Sequence, residues 1–195
     1  MLKFIYDNHL NDFEWFVRAD DDSYIKVDKL VKLLSRVNSS KPYYIGRPKQ
    51  GKPIDSMNPL DIYCVGGSGM LFSRKLLNLI GPHLESCLSE MYSGHEDVEI
   101  ARCIRKHTGI ACSDSNESMD MFYQNYGGKS RKNIYGRNIR NISRKNRTNA
   151  ISFHANKDPK YQYKLHIGVL RDQIRTLLKT ITNSRAAASF INRLL

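Results

Sequence analysis

The sequence predicts an α/β fold, on three observations. Short bulky runs of strand composition alternate with stretches of helical periodicity, glycine, proline and Asn-Ser punctuation separates them, and no internal repeat interrupts the alternation. With 195 residues, 41% of them hydrophobic, the chain is large enough for one globular domain with a real core. No apolar run reaches the length that a bilayer demands.

The elements follow in order. Leu2 to Asp7 reads as the last turns of a helix, with no charged and apolar leader, so the chain is expected to be a fragment. Phe13 to Arg18 is a buried strand that ends at an acidic triplet. Lys26 to Asn38 carries Leu30, Val31, Leu33, Leu34 and Val37 at helical spacing. Tyr43 to Gly46 is a second strand. Residues 47–61, with Pro48, Gly51, Pro53 and Pro59, are expected to form a loop. Ile62 to Val65 and Met70 to Phe72 flank Gly66-Gly67-Ser68-Gly69, read as a tight glycine turn. Ser73 caps a helix through Leu76, Leu77 and Ile80, stopped by Gly81-Pro82. Residues 83–92 read as helical, and a further helix runs from Glu96 to a Gly109 stop. Ala150 to Phe153 is a late strand. From Pro159 a long helix places Ile167, Leu170, Ile174, Leu177, Leu178 and Ile181 on one stripe.

Four cysteines, Cys64, Cys87, Cys103 and Cys112, show no CxxC pair for zinc. Asn-x-Ser/Thr acceptors stand at Asn38, Asn116, Asn141 and Asn146. Together these favour an oxidising, glycosylating compartment, against the blander reading of cytosolic thiols. The net charge of +12 gathers between Asp120 and Asp158, which bracket a stretch without acids that includes Lys129, Arg131, Arg140 and Arg147. Such a run attracts an anionic polymer or is simply solvated, and charge alone favours the solvated reading. Aromatic interleaving is too thin for a nucleic-acid platform.

Four constellations carry chemistry. Asp20, Asp21 and Asp22 repel one another at a strand end, which a divalent cation offsets; hard oxygen ligands suit Mg²⁺ or Mn²⁺. An acidic surface turn explains the triplet equally. Gly94-His95-Glu96-Asp97 opens a helix, where a carboxylate can serve as general base; the helix dipole also favours acids there without any catalysis. His154 follows a strand and suits Mn²⁺ only if it comes back beside Asp22. Gly66, Gly67 and Gly69 allow close backbone approach to a ligand, or merely make a hairpin.

In this order, WFVRADDDSYI, CVGGSGMLFSR, GHEDVEIARC and a Phe-His pair resemble the inverting β-1,3-glycosyltransferase family of fringe enzymes, core 1 galactosyltransferase and chondroitin synthases. The stretches CLSEMYSGHEDVEIARCIRKHTGIAC and FHANKDPKYQYKLH are most similar to the N-terminal domain of chondroitin synthase. The resemblance implies a GT-A fold, with the nucleotide-binding strands upstream of the triplet, and a catalytic part spanning residues 1–166 before an amphipathic tail at 167–195. It implies that Asp20, Asp21, Asp22 and His154 hold Mn²⁺ or Mg²⁺, with Asp22 the direct ligand. Asp97 matches the base, with Glu96 its competitor. Gly66, Gly67 and Gly69 match the turn lining the cleft, and Arg18 joins them as a substrate-binding candidate. The implied reaction transfers glucuronic acid from UDP-glucuronate to N-acetylgalactosamine in an anionic glycosaminoglycan acceptor. A type II membrane protein of the Golgi lumen is implied, as is a hetero-oligomer with a related synthase or polymerising factor. Rival readings are a non-catalytic polymerising subunit and a sister β-1,3-galactosyl- or N-acetylglucosaminyltransferase. The cysteines match the relatives' positions and suggest Cys103–Cys112 with Cys64–Cys87, although the sequence leaves all three pairings open.

Overall fold

The computed structural model describes residues 1–55, 57–58, 61–113, 116–125 and 142–194. In chain order the first elements are α1 (Leu2–His9), β1 (Trp15–Arg18), β2 (Tyr24–Ile25), α2 (Val27–Leu34), β3 (Tyr44–Gln50) and β4 (Ile62–Ser73). Then come α3 (Arg74–Ile80), α4 (Leu84–Ser89), α5 (Glu96–Thr108) and α6 (Asn116–Met121). The last are β5 (Phe122–Gln124), α7 (Arg144–Asn149), β6 (Ser152–His154) and α8 (Pro159–Leu194). The result is a mixed α/β fold with two small sheets among the described residues, ordered β1-β4-β3 and β2-β6-β5.

β4 is the axis of the first sheet, antiparallel to both neighbours. Strand side chains alternate faces, so Phe16, Tyr44, Met70 and Phe72 enter one core with Leu76, Leu77 and Ile80 of α3 and Val98, Ala101 and Ile104 of α5. Ile45 and Leu71 enter the other, against Leu30 of α2, Phe122 and Ile151. Burying each of these larger side chains contributes about 1.5–3 kcal/mol. A third cluster, with Phe153, Leu165 and Val169, seats the start of α8 on the second sheet.

The helix ends obey their local signals. The Ser73 hydroxyl accepts the Leu76 N–H at 3.2 Å to cap α3. α5 has acids in its first turn, bases in its last, and Gly109 at φ +71° to close it. α8 runs unbroken to Leu194, and its stripe from Ile167 to Ile181 is exposed.

Three expectations are corrected. Gly66-Gly67-Ser68-Gly69 is no turn: β4 continues through it, and residues 66–69 stand opposite no residue of β3, because the register shifts between Gly46 and Arg47. The supposed loop begins later, since β3 extends to Gln50; Pro48 is tolerated because β3 is an edge strand of this sheet. The disulfides are Cys64–Cys112 and Cys87–Cys103. Cys64 faces the core from β4, and the chain leaving α5 returns beside it, with the Cys112 N–H bonded to the Ile62 carbonyl at 3.3 Å. That leaves Cys103, within α5, facing Cys87 on α4.

Candidate functional site

β1 delivers the acidic triplet to the edge of the second sheet. The Asn156 N–H donates to the Asp22 carbonyl at 2.9 Å, which ties the triplet to the chain just beyond β6. β6 lies between β2 and β5, so His154 projects where the triplet ends. His154 Nε2 is 3.1 Å from Asp22 Oδ1 and 3.2 Å from Asp20 Oδ2. Asp22 and His154 are both buried, whereas Asp21 is exposed and stands outside this group.

The donor set fits a divalent cation. Ligand atoms of Asp20, Asp22 and His154 all lie within 4.8 Å of one another. Asp22 Oδ1 is buried and makes no hydrogen bond, a loss of about 1–3 kcal/mol that a cation would remove. Two carboxylates with one imidazole suit Mn²⁺ better than an all-oxygen cation such as Mg²⁺. Lys157 Nζ, 3.8 Å from Asp22 Oδ2, offsets part of the negative charge.

The glycine strand is the floor of the site. Ser23 Oγ donates to the Gly67 carbonyl and Ser152 Oγ to the Ser68 carbonyl, drawing β4 against the triplet and β6. A Cβ on Gly67 would fall within the His154 ring, and one on Gly66 would press on Arg18 and Asp97.

Arg18 links two halves of the site. It donates to Asp20 Oδ1 at 2.5 Å and to Glu96 Oε2. Burial works against its charge, but Glu96 and Asp20 outweigh that and raise its pKa above the ordinary arginine value. At the start of α5, the Gly66 N–H donates to Asp97 Oδ2 at 3.1 Å and the Val98 N–H to Oδ1 at 3.0 Å. Asp97 is therefore held rigidly beside the glycine strand, and Glu96 is more exposed.

Several residues here were not legible from sequence. Buried Glu99 accepts the N–H groups of Tyr92 (3.3 Å) and Ser93 (2.8 Å) and pairs with Arg102, fixing the loop that leads into Glu96 and Asp97. Its i,i+3 spacing to Arg102 was a readable signal; its reach back to the loop was not. Gln124, whose Oε1 is 2.7 Å from His154 Nδ1, had no signal at all. Most of the basic stretch, and Asn141, lie outside the described residues. Arg147 is engaged with Asp172 at 2.9 Å. Asn38 is exposed after α2 and Asn146 is half-buried in α7, while Asn116 begins α6. No helix among the described residues is long and apolar enough to cross a membrane.

A family model described as chondroitin N-acetylgalactosaminyltransferase matches residues 83–195, more than half of the chain. The chain belongs to this family of glycosyltransferases, which bears out the resemblance drawn from its motifs. It is 42% identical over 193 residues to chondroitin sulfate synthase 3 of Mus musculus, a match covering 96% of this chain and 21% of that protein. The Homo sapiens protein of that name matches to the same extent. Chondroitin sulfate synthase 2 of Mus musculus is 31% identical over 175 residues, 89% of this chain and 21% of that protein. The chain thus spans about a fifth of the length of these relatives.

Proposed function

We propose that residues 1–166 form the catalytic part of a GT-A-type, metal-dependent transferase, with 167–195 a helical tail, that adds glucuronic acid from UDP-glucuronate to a terminal N-acetylgalactosamine through a β-1,3 bond. The observation that carries this reading is the convergence of Asp20, Asp22 and His154 on one point, which Arg18 links to the start of α5 through Glu96, the neighbour of Asp97. Asp20, Asp22 and His154 would hold Mn²⁺, or Mg²⁺ less well. When bound, such a cation supplies positive charge to a departing diphosphate. Asp97 takes the proton of the acceptor 3-hydroxyl as that oxygen bonds to the anomeric carbon. The bond from that carbon to the diphosphate oxygen breaks with its electron pair on UDP, so the configuration inverts. The two N–H donors on Asp97 fix its direction. Glu96, paired with Arg18, is the competing acceptor of the proton. Gly66 and Gly67, both buried, leave room for Arg18, Asp97 and His154 to close on the strand, and Arg18 orients the anionic groups between the two halves.

An oxidised lumen fits the two disulfides, and we place the protein in the Golgi lumen as part of a type II membrane protein. The polyanionic acceptor suits the basic chain, and assembly with a related synthase or polymerising factor belongs to the same proposal.

The test is sugar transfer in Mn²⁺ with a panel of UDP-glucuronate, UDP-N-acetylgalactosamine, UDP-galactose and UDP-N-acetylglucosamine. UDP-glucuronate should be preferred; the family description makes UDP-N-acetylgalactosamine the main competitor. Asp22→Asn and His154→Ala should each lower transfer by at least 100-fold, a loss of about 2.7 kcal/mol of transition-state stabilisation. Asp97→Asn should do so without weakening Mn²⁺ binding, while Glu96→Gln should leave most activity. If Asp22→Asn supports polymerisation by a partner as well as the parent protein does, the chain is a non-catalytic subunit.

A further inference from the structure

We infer that Gln124 is the positioning residue that fixes the tautomer and direction of His154, so that Nε2 faces the cation position between Asp20 and Asp22. This rests on the metal reading above.

The parallel register pairs Gln124 with His154 across β5 and β6, which puts their side chains on the same face. Gln124 Oε1 stands 2.7 Å from His154 Nδ1. A carbonyl oxygen only accepts, so this contact puts a proton on Nδ1, and the tautomer that binds a cation then has its lone pair on Nε2. That nitrogen is the one 3.1 Å from Asp22 and 3.2 Å from Asp20. The amide makes this contact at the expense of its other half: Gln124 Nε2 is buried with no hydrogen-bond partner.

The surroundings leave the ring no second seat. Gly67 packs against it so closely that a Cβ has no room. The Asn125 N–H bonds to the His154 carbonyl at 3.1 Å, and Asn125 Nδ2 reaches Asn156 Oδ1 at 3.0 Å and the Tyr161 hydroxyl at 2.8 Å. Both strands are therefore clamped immediately beyond the pair. Histidine ligands generally depend on such an acceptor behind the ring, and its removal typically weakens metal binding 10–100-fold.

The experiment measures Mn²⁺ affinity by electron paramagnetic resonance, together with the nitrogen coupling that a bound imidazole gives. The proteins compared are the parent, His154→Ala, Gln124→Met and Gln124→Glu. Gln124→Met keeps the length but removes the acceptor, and should lose about 10–100-fold in affinity with loss of the nitrogen coupling. Gln124→Glu keeps an acceptor oxygen and should bind within a few-fold of the parent. If Gln124→Met does not fold, Gln124→Asn withdraws the oxygen by one methylene, keeps a polar amide, and carries the same expectation. Parent-like affinity and coupling in the methionine or asparagine protein, with both lost in His154→Ala, would overturn the role of Gln124 and leave the metal reading standing. Failure of the parent to bind Mn²⁺, or equal binding by His154→Ala, overturns both.

Discussion

Gly67 and Gly69 lie two positions apart on β4, and each is glycine for a different physical reason. At Gly67 the constraint is space, because the His154 ring occupies the volume of any Cβ. At Gly69 the constraint is the backbone, with φ at +110° and only ordinary contact, 3.8 Å, between a Cβ and Phe122. Their alanine substitutions should therefore separate. Gly67→Ala should push His154 off the carboxylates and lower Mn²⁺ affinity at least 10-fold, with about 1–3 kcal/mol lost to overpacking. Gly69→Ala should cost about 1–3 kcal/mol in backbone strain while leaving Mn²⁺ affinity within a few-fold. Mn²⁺ titration and urea unfolding of both proteins check this; equal loss of metal affinity in the two would show that the close packing at Gly67 is not what seats the ring. In sequence the same residues read as a turn, because Gly-Gly-Ser-Gly is a turn signal within any short window. The partner that forbids a side chain arrives from β6, far along the chain, and no window contains both.

Elements with their own caps and periodicity were legible: α3 from Ser73 to Gly81, and α5 from Glu96 to Gly109. Those seated by other elements were not. α6, β5 and α7 are too short to show a period, and α7 is fastened from α2 and its approach. Lys26 Nζ donates to the Arg147 carbonyl and Lys29 Nζ to the Thr148 carbonyl, so two ammonium groups meet the C-terminal carbonyls of α7. Lys26 is only 7% exposed. Burial, then Lys29 and Arg147, against the opposing pull of Asp172, lowers its pKa to about 8. An unfolded lysine titrates near 10.4. Between these values the unfolded chain binds more protons than the folded one, so this group makes stability rise with pH from about 8 to about 10.4. Below pH 8 the folded protein carries the buried charge, and that gain is absent. Lys26→Met should remove the dependence. Urea unfolding at pH 7.5, 9 and 10 should show the parent gaining on the variant by on the order of 2 kcal/mol across the window; a difference independent of pH would contradict the assignment.

The order of motifs made the Asp20, Asp22 and His154 cluster legible as a resemblance, but its assembly is a property of the whole molecule. Asp22 and His154 meet only because β6 enters between β2 and β5 while β4 passes beneath. The same long-range geometry decides the disulfides, which the cysteine spacing could not. Cys64–Cys112 joins β4 to the chain leaving α5 and closes a separation of 48 residues, whereas Cys87–Cys103 joins α4 to α5 across 16. Loop-closure entropy assigns about 4 kcal/mol to the first and about 3 kcal/mol to the second. The longer bridge also has the greater structural reach, since Cys64 is fully buried in the core that carries α5, and with it Asp97. Cys64→Ala with Cys112→Ala should therefore destabilise the protein more than Cys87→Ala with Cys103→Ala, and against a typical total of about 5–15 kcal/mol the loss is large. It should also loosen the glycine strand and weaken Mn²⁺ binding before global unfolding. The shorter bridge holds α4, which supplies none of the candidate ligands, so its removal should lower the unfolding midpoint and leave Mn²⁺ affinity near that of the parent. Urea unfolding and Mn²⁺ titration of the two double variants decide the point. A larger stability loss on removing the α4–α5 bridge would mean that local packing between those helices, not closure of the long loop, dominates.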